Sequence, residues 1–231
     1  MSYRIGIIAA LAGELKPLVR GWSRQTNGAF LAQRGDVAAI AVAKGMGAAR
    51  AEEAVSIAET YGGLDALVSI GWAGGASCGI QPGTAYEVGE VIDAASGERF
   101  AASTETSPIK LVTLDHVAGR DEKRQVAERY GASLVDMEAA AVARLARAKG
   151  IPFHCWKTVT DMATEDLPDF NFFLDNEKQL RTGRLATYAL TRPRYVTPLL
   201  RMGKNARNGA DALGQTLRRW IDEGKYADSN G

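Results

Sequence analysis

Short apolar runs, each ending in a polar or glycine-bearing break, set the rhythm of the chain. Arg4–Ala10 (RIGIIAA), Val37–Ala43 (VAAIAVA) and Ala66–Ile70 (ALVSI) have strand length and lack the polar alternation of a half-exposed strand, the pattern of strands buried on both faces. Gly45-Met46-Gly47 interrupts the second run and Ala48–Tyr61 then reads as a helix, giving a βα unit. The third run enters a glycine-rich turn, Gly71-Trp72-Ala73-Gly74-Gly75. Pro82-Gly83 marks another turn, Tyr86–Asp93 an extended segment at the sheet rim, and Lys110–Leu114 a fourth strand. Asp121–Tyr130 is a polar helix closed by Gly131, and Leu134-Val135 a strand stub before a helix over Met137–Lys149 that Gly150 and Pro152 stop. Phe153–Val159 is a further strand. Asp166–Ala189 is irregular, then helical, and 197–222 is one long helix before a tail, Tyr226–Gly231, expected to fray. The alternation predicts an α/β fold: three αβα layers around a mixed, mostly parallel sheet, with 1–231 as one domain.

Charge and composition narrow the function. Lys and Arg number 28 against 27 Asp and Glu, so a net charge of +1 gives no general electrostatic case for binding nucleic acid. Cys78 and Cys155 make neither a disulfide framework nor a metal cluster and suit a reducing, cytoplasmic setting. His116 and His154 are the only histidines and neither has a ligand cluster nearby, so no metal is expected; His154 lies within a strand and reads as a packing residue. The N-terminus lacks a signal-peptide pattern, and no apolar run reaches the roughly 20 residues that span a bilayer.

In open α/β sheets ligands sit beyond the carboxyl ends of the strands, so the residues after each apolar run carry the candidate chemistry. Glu14 follows the first run, placed to act as a base or to hold water, or simply as a first-turn helix acid. The GWAGG segment would let backbone approach a ligand, or is merely a tight crossover; it matches no dinucleotide or phosphate-loop pattern. Asp136-Met137-Glu138 joins a carboxylate able to accept hydrogen bonds from vicinal hydroxyls to a soft apolar surface, or else caps a helix. Asp161, after Thr160 at the lip of the last strand, is placed to donate a proton, or forms a turn.

Taken together, these segments resemble the purine and uridine phosphorylase family, which includes the methylthioadenosine/S-adenosylhomocysteine nucleosidases. The resemblance runs through IGIIAALAGEL (5–15), AKGMGAARAEEA (43–54), SIGWAGG (69–75), QPGTAYEVGEVID (81–93), LVDMEAAAVA (134–143) and TVTD (158–161). It covers about three quarters of the chain, and its specific part is VDMEA followed some 20 residues later by TD. It implies cleavage of a purine N-glycosidic bond. Asp161 would protonate the base at N7, Glu138 would bind the ribose hydroxyls over Met137, and Glu14 would activate water as in the hydrolytic members. Asp136, Trp72, Ala73 and Gly74 would line the substrate site, and Val117 and Ala118, beside Asp115 and His116, would fall near the purine clamp.

The sequence departs from the phosphorolytic members, which carry an arginine and a serine or threonine where Ser69 and Trp72 stand. Gly45, Met46, Gly47 and Arg50 are the remaining candidates for phosphate or water, with Lys44 nearby. No cofactor is implied; inorganic phosphate stays open as a co-substrate, and a homo-oligomer, at least a dimer, is expected. Leu190-Thr191-Arg192-Pro193-Arg194-Tyr195 and Leu167-Pro168 resemble a hopanoid-associated subgroup linked to adenine release from adenosylhopane. Residues 197–222 carry an apolar stripe and a basic face, which suits either a helix covering the domain or one lying on an anionic membrane, peripheral to the inner membrane. Hydrolysis of methylthioadenosine or S-adenosylhomocysteine is the alternative enzyme reading, and a non-catalytic nucleoside-binding protein the alternative of another class.

Overall fold

The computed structural model describes residues 2–102, 107–175, 178–224 and 226; the tail beyond Tyr226 lies outside the described residues. The first half runs β1 (Tyr3–Ala9), α1 (Ala12–Leu15), β2 (Ser23–Arg24), β3 (Phe30–Arg34), β4 (Val37–Ala43), α2 (Ala48–Glu59), β5 (Ala66–Gly75), β6 (Ala85–Glu87) and β7 (Glu90–Asp93). The second runs β8 (Arg99–Ala101), β9 (Lys110–Thr113), α3 (Arg120–Tyr130), β10 (Leu134–Asp136), α4 (Ala139–Lys149), β11 (Phe153–Met162), α5 (Thr182–Leu190) and α6 (Val196–Asp222). Short 3₁₀ turns occupy Phe170–Phe173 and Pro193–Tyr195.

The apolar runs of the sequence form the parallel centre of a mixed sheet, with β4, β1, β5 and β11 side by side; Ile7 lies opposite both Ala41 and Val68. Antiparallel ladders sit at the margins, β2–β3–β4 on one side and β7–β8 on the other. On one face the alanine-rich helices α2 and α4 close on Ile8, Val42 and Leu67. On the other, Leu213, Leu217 and Trp220 of α6 meet Leu15, Leu18, Ile70 and Trp156. Small side chains let these layers approach closely: a Cβ on Gly209 of α6 would run into the Thr158 hydroxyl of β11.

Several boundaries differ from those the sequence predicts. GWAGG is not a turn but the second half of β5, which pairs with β11 along its length and takes up antiparallel β10 at Gly74 and Gly75. The expected strand over Tyr86–Asp93 is two, β6 on β11 and β7 on β9, because the chain steps across at Gly89, where Ser107 carbonyl oxygen fills the space of a side chain. The helix expected from Met137 begins at Ala139, whose N–H is capped by the Asp136 carboxylate at 2.9 Å. Strands β2 and β8 lie at the ends of the sheet and β3 next to β2; none is buried along its length, so none leaves an apolar run to find.

Candidate functional site

The carboxyl ends of β1, β5, β10 and β11 surround a pocket of about 560 Å³, whose lining also includes Arg120 and Lys123 of α3 and Phe170 and Asn171 of the turn at Phe170–Phe173. Glu14 reaches its wall from the first turn after β1 and is 3% exposed. Leu11 N–H donates to its Oε2 at 2.7 Å and Trp72 N–H to its Oε1 at 2.8 Å. The Trp72 amide is available because Gly71 has no side chain: a Cβ there would lie 2.9 Å from Glu14 Oε1. Burial pushes the Glu14 carboxyl above the usual range, while the backbone hydrogen bonds and the charge of Lys157 pull against it.

Strand β10 delivers a second acidic group. Asp136 accepts from Thr113 Oγ1 at 2.7 Å and pairs with the Lys157 ammonium at 2.9 Å, both side chains essentially without exposure. Lys157 also donates to Ser69 Oγ at 3.1 Å. Burial alone would lower the lysine's pKa; Asp136, Cys155 and Glu138 outweigh it and hold the ammonium above its ordinary value. Glu138 accepts from Gly47 N–H at 2.6 Å. Burial, reinforced by the Asp136 charge, pushes its carboxyl up to about 8. Met137, also in the pocket wall, is 7% exposed.

Asp161 reaches the pocket through an irregularity. The β11–β5 register shifts between Val159 and Asp161, leaving Thr160 without a partner on β5. Thr160 Oγ1 donates to Asp161 Oδ1 at 2.7 Å, and Asn205 of α6 ties the Thr160 carbonyl at 2.9 Å. Lys123 of α3 forms an ion pair with Asp161 Oδ2.

The structure brings Glu14, Trp72, Ala73, Gly74, Val117, Ala118, Asp136, Met137, Glu138 and Asp161 to one pocket. It does not bring the phosphate-or-water set there as a group. Met46 lines the pocket, but Gly45 N–H donates to Ala10 O at 2.8 Å, Gly47 N–H to Glu138, and Arg50 pairs with Glu53 at 2.8 Å. Lys44 pairs with Glu53 too, at 2.9 Å. Trp72 is tied to α6 through Nε1–H to Ala206 O at 3.1 Å. It separates the pocket from a second, apolar groove of about 880 Å³ between α5 and the start of α6, whose lining also shares Phe170, Leu180 and Met202 with the pocket. Asn171 meets the peptide of Val117 twice, accepting from its N–H at 3.1 Å and donating to its carbonyl at 2.9 Å.

Sequence reasoning missed the two buried lysines. A lysine inside the apolar FHCWKTV run is a visible signal for Lys157. None marks Lys123, which belongs to a helix whose other side chains, Val126 apart, are partly or fully exposed. Among the described residues no cluster of His, Cys, Asp and Glu could hold a metal ion.

Residues 94–190 match the phosphorylase superfamily. That segment spans 97 of the chain's 231 residues. It contains Asp136, Glu138 and Asp161, whereas Glu14 and Trp72 stand outside it. Comparison with curated protein sequences returned no match. Among solved structures, a Helicobacter pylori MTAN mutant with 5′-methylthioadenosine in the active site is similar at a TM-score of 0.72 and 13% identity, covering 96% of this chain and 100% of that one. Arabidopsis thaliana 5′-methylthioadenosine nucleosidase gives a TM-score of 0.72 at 19% identity, over 100% and 97%. The futalosine hydrolase of Helicobacter pylori gives 0.71 at 13%, over 96% and 99%. At these identities the likeness is one of fold, a three-layer α/β architecture of the nucleoside phosphorylase type.

Proposed function

We propose that the protein is a nucleosidase: it hydrolyses the N-glycosidic bond of a purine nucleoside, with Asp161 protonating the leaving base and Glu14 activating water. The superfamily match supports enzymatic cleavage at a nucleoside. The observation that carries hydrolysis over phosphorolysis is the charge around Glu14. The Lys157 ammonium, among Glu14, Asp136 and Glu138, is already held by Asp136 and Ser69. Lys44 and Arg50 are engaged by Glu53. Beside Glu14 a phosphate dianion would find these cations already engaged, whereas water would meet a buried carboxyl whose proton affinity burial raises.

In the reaction C1′–N9 breaks and its electron pair moves into the purine, which takes a proton at N7 through Asp161. The ribosyl cation is met by water oxygen as Glu14 accepts the water proton. Glu138 binds the ribose hydroxyls and Met137 lies under the sugar. The Val117 peptide, now paired with the Asn171 amide, presents the donor and acceptor that the amino edge of adenine would use. Adenine release should proceed at the same rate with and without phosphate and should fall at least about 100-fold in Glu14→Gln. Ribose 1-phosphate as product would overturn the reading.

The apolar groove beyond Trp72 supports a bulky apolar 5′ substituent, adenosylhopane being the fitting case. The fold likeness to the 5′-methylthioadenosine nucleosidases favours a small 5′-thioether instead. A series of 5′-alkyl adenosines separates these: kcat/KM rising with chain length supports the first, falling the second. Residues 178–207 contain eight Lys and Arg and no acid, and Leu190 and Leu200 beside the groove are 78% and 71% exposed, which supports contact with an anionic lipid surface. Loss of flotation with phosphatidylglycerol vesicles would remove that part of the reading. No helix among the described residues is long and apolar enough to cross a membrane.

A further inference from the structure

The pairing of Lys123 with Asp161 is built into three separate elements. Lys123 is 4% exposed although it sits in the first turn of a polar helix, where a lysine ordinarily extends into water. Its stem crosses β5 at Gly74, where a Cβ would lie 2.6 Å from Lys123 Cε and 2.8 Å from Nζ. The Gly74 backbone is therefore open for the protein's own lysine, not only for a ligand. On the far side, the β11 irregularity and Thr160 Oγ1 hold Asp161 so that Oδ2 meets the ammonium. The helix backbone is fixed in turn by Lys123 N–H to Gly119 O at 3.0 Å.

We propose that Lys123 is the positioning residue of Asp161 and the source of the proton that passes through it to the leaving base. The inference rests on the proposed role of Asp161. At rest the pair is ammonium and carboxylate. A purine seated over it excludes water, and desolvation disfavours two charges relative to the neutral amine and acid. As C1′–N9 breaks, one Nζ–H bond of Lys123 breaks and an O–H bond forms on Asp161, while a carboxyl O–H gives its proton to N7. Asp161 ends as it began, Lys123 is left as the amine, and water reprotonates it once the base departs. A lone carboxylate at the same place would have to collect its proton from solvent before each turnover.

Lys123→Met keeps the length of the stem and removes the ammonium. It should lower kcat about 100-fold with KM within threefold of the parent, and the loss should not add to that of Asp161→Asn in the double variant. Lys123→Arg should hold Asp161 but not give up a proton at neutral pH, so it should stay slow. Lys123→Ala should regain activity with added ethylamine, in proportion to the protonated amine present, a response that a packing role would not produce. Thermal melts check that each variant folds. Lys123→Met with a kcat within threefold of the parent, while Asp161→Asn is inactive, overturns this inference alone. So does Lys123→Ala that stays unresponsive to alkylamines. A fully active Asp161→Asn overturns the role of Asp161, and with it this inference.

Discussion

Lys157→Met tests the electrostatic frame of the site. The side chain keeps its volume, so the change removes one ammonium buried against Asp136 at 2.9 Å. At that distance two unit charges attract by about 6 kcal/mol at an effective dielectric constant of 20. Part of this offsets the desolvation of both groups, and breaking a buried pair on one side costs about 3–5 kcal/mol. The loss should depend on pH with a definite sign. Without Lys157, Asp136, Glu138 and Glu14 stay together in the same dry region and the folded state holds protons that the unfolded chain releases near its ordinary carboxylate values. Stability of the variant therefore falls as pH rises, by up to about 1.4 kcal/mol per unit for each proton retained. Urea melts of parent and variant at pH 5, 6.5 and 8 should show a small difference at pH 5 and one of about 3–5 kcal/mol at pH 8. A difference below about 1 kcal/mol at pH 8, or one constant across the series, would refute the view that Lys157 neutralises this cluster.

Other substitutions probe neighbouring features. Burial pulls His154 down to about 4; it stacks on Trp156 and meets Trp220 edge-on, and both ring nitrogens lack a hydrogen-bond partner among the described residues. The unfolded chain takes up a proton near 6.5 and the folded protein does not, so stability is full above that value and is lost as pH falls from 6.5 toward 4, by about 3 kcal/mol. His154→Phe should remove that acid sensitivity in melts at pH 7 and pH 5; an unchanged slope would show that another group is responsible. Gly209→Ala should destabilise by about 1–3 kcal/mol, since its methyl meets the Thr158 hydroxyl; a melt at the parent temperature would show that α6 can shift freely. Gly74→Ala should displace Lys123 and lower turnover in the manner of Lys123→Met, while an unaffected rate would mean the lysine finds another route.

The rule that ligands lie beyond strand ends makes Glu14, Asp136, Glu138 and Asp161 legible in the amino-acid order alone, because each closely follows an apolar run. Their convergence is not legible there, since it depends on β5 standing between β1, β10 and β11. GWAGG misleads because glycines suggest a turn, and only the packed fold shows what each missing side chain admits: Glu14 at Gly71, Lys123 at Gly74 and Met162 at Gly75. In the loop from Gly45 to Gly47 and at Arg50, the sequence likewise does not show which groups have partners within the fold. Whether amides are free depends on distant partners, here Ala10 and Glu138, which lie 35 and 91 positions away from the glycines they engage.

The glycines of β5 and the buried lysines are two sides of one arrangement. A sheet whose carboxyl end carries four acids needs either solvent or internal cations, and the pocket walls exclude much of the solvent. Lys157 rises from within β11 to meet Asp136, and Lys123 comes from α3 across Gly74 to meet Asp161. Among the described residues that leaves Glu14 and Glu138 without a salt bridge, stabilised by backbone N–H groups of Leu11, Trp72 and Gly47. The division matches the chemistry proposed. The paired acid, Asp161, lies beside a proton source. The two unpaired acids have raised affinities for protons, which suits one to accept from water and the other to hold hydroxyls. A cation introduced beside Glu14 would favour its ionised form and weaken it as a base, so the absence of the phosphorolytic arginine at Ser69 fits hydrolysis in two ways: no arginine to pair with phosphate, and no charge added to that of Lys157 to depress the base further.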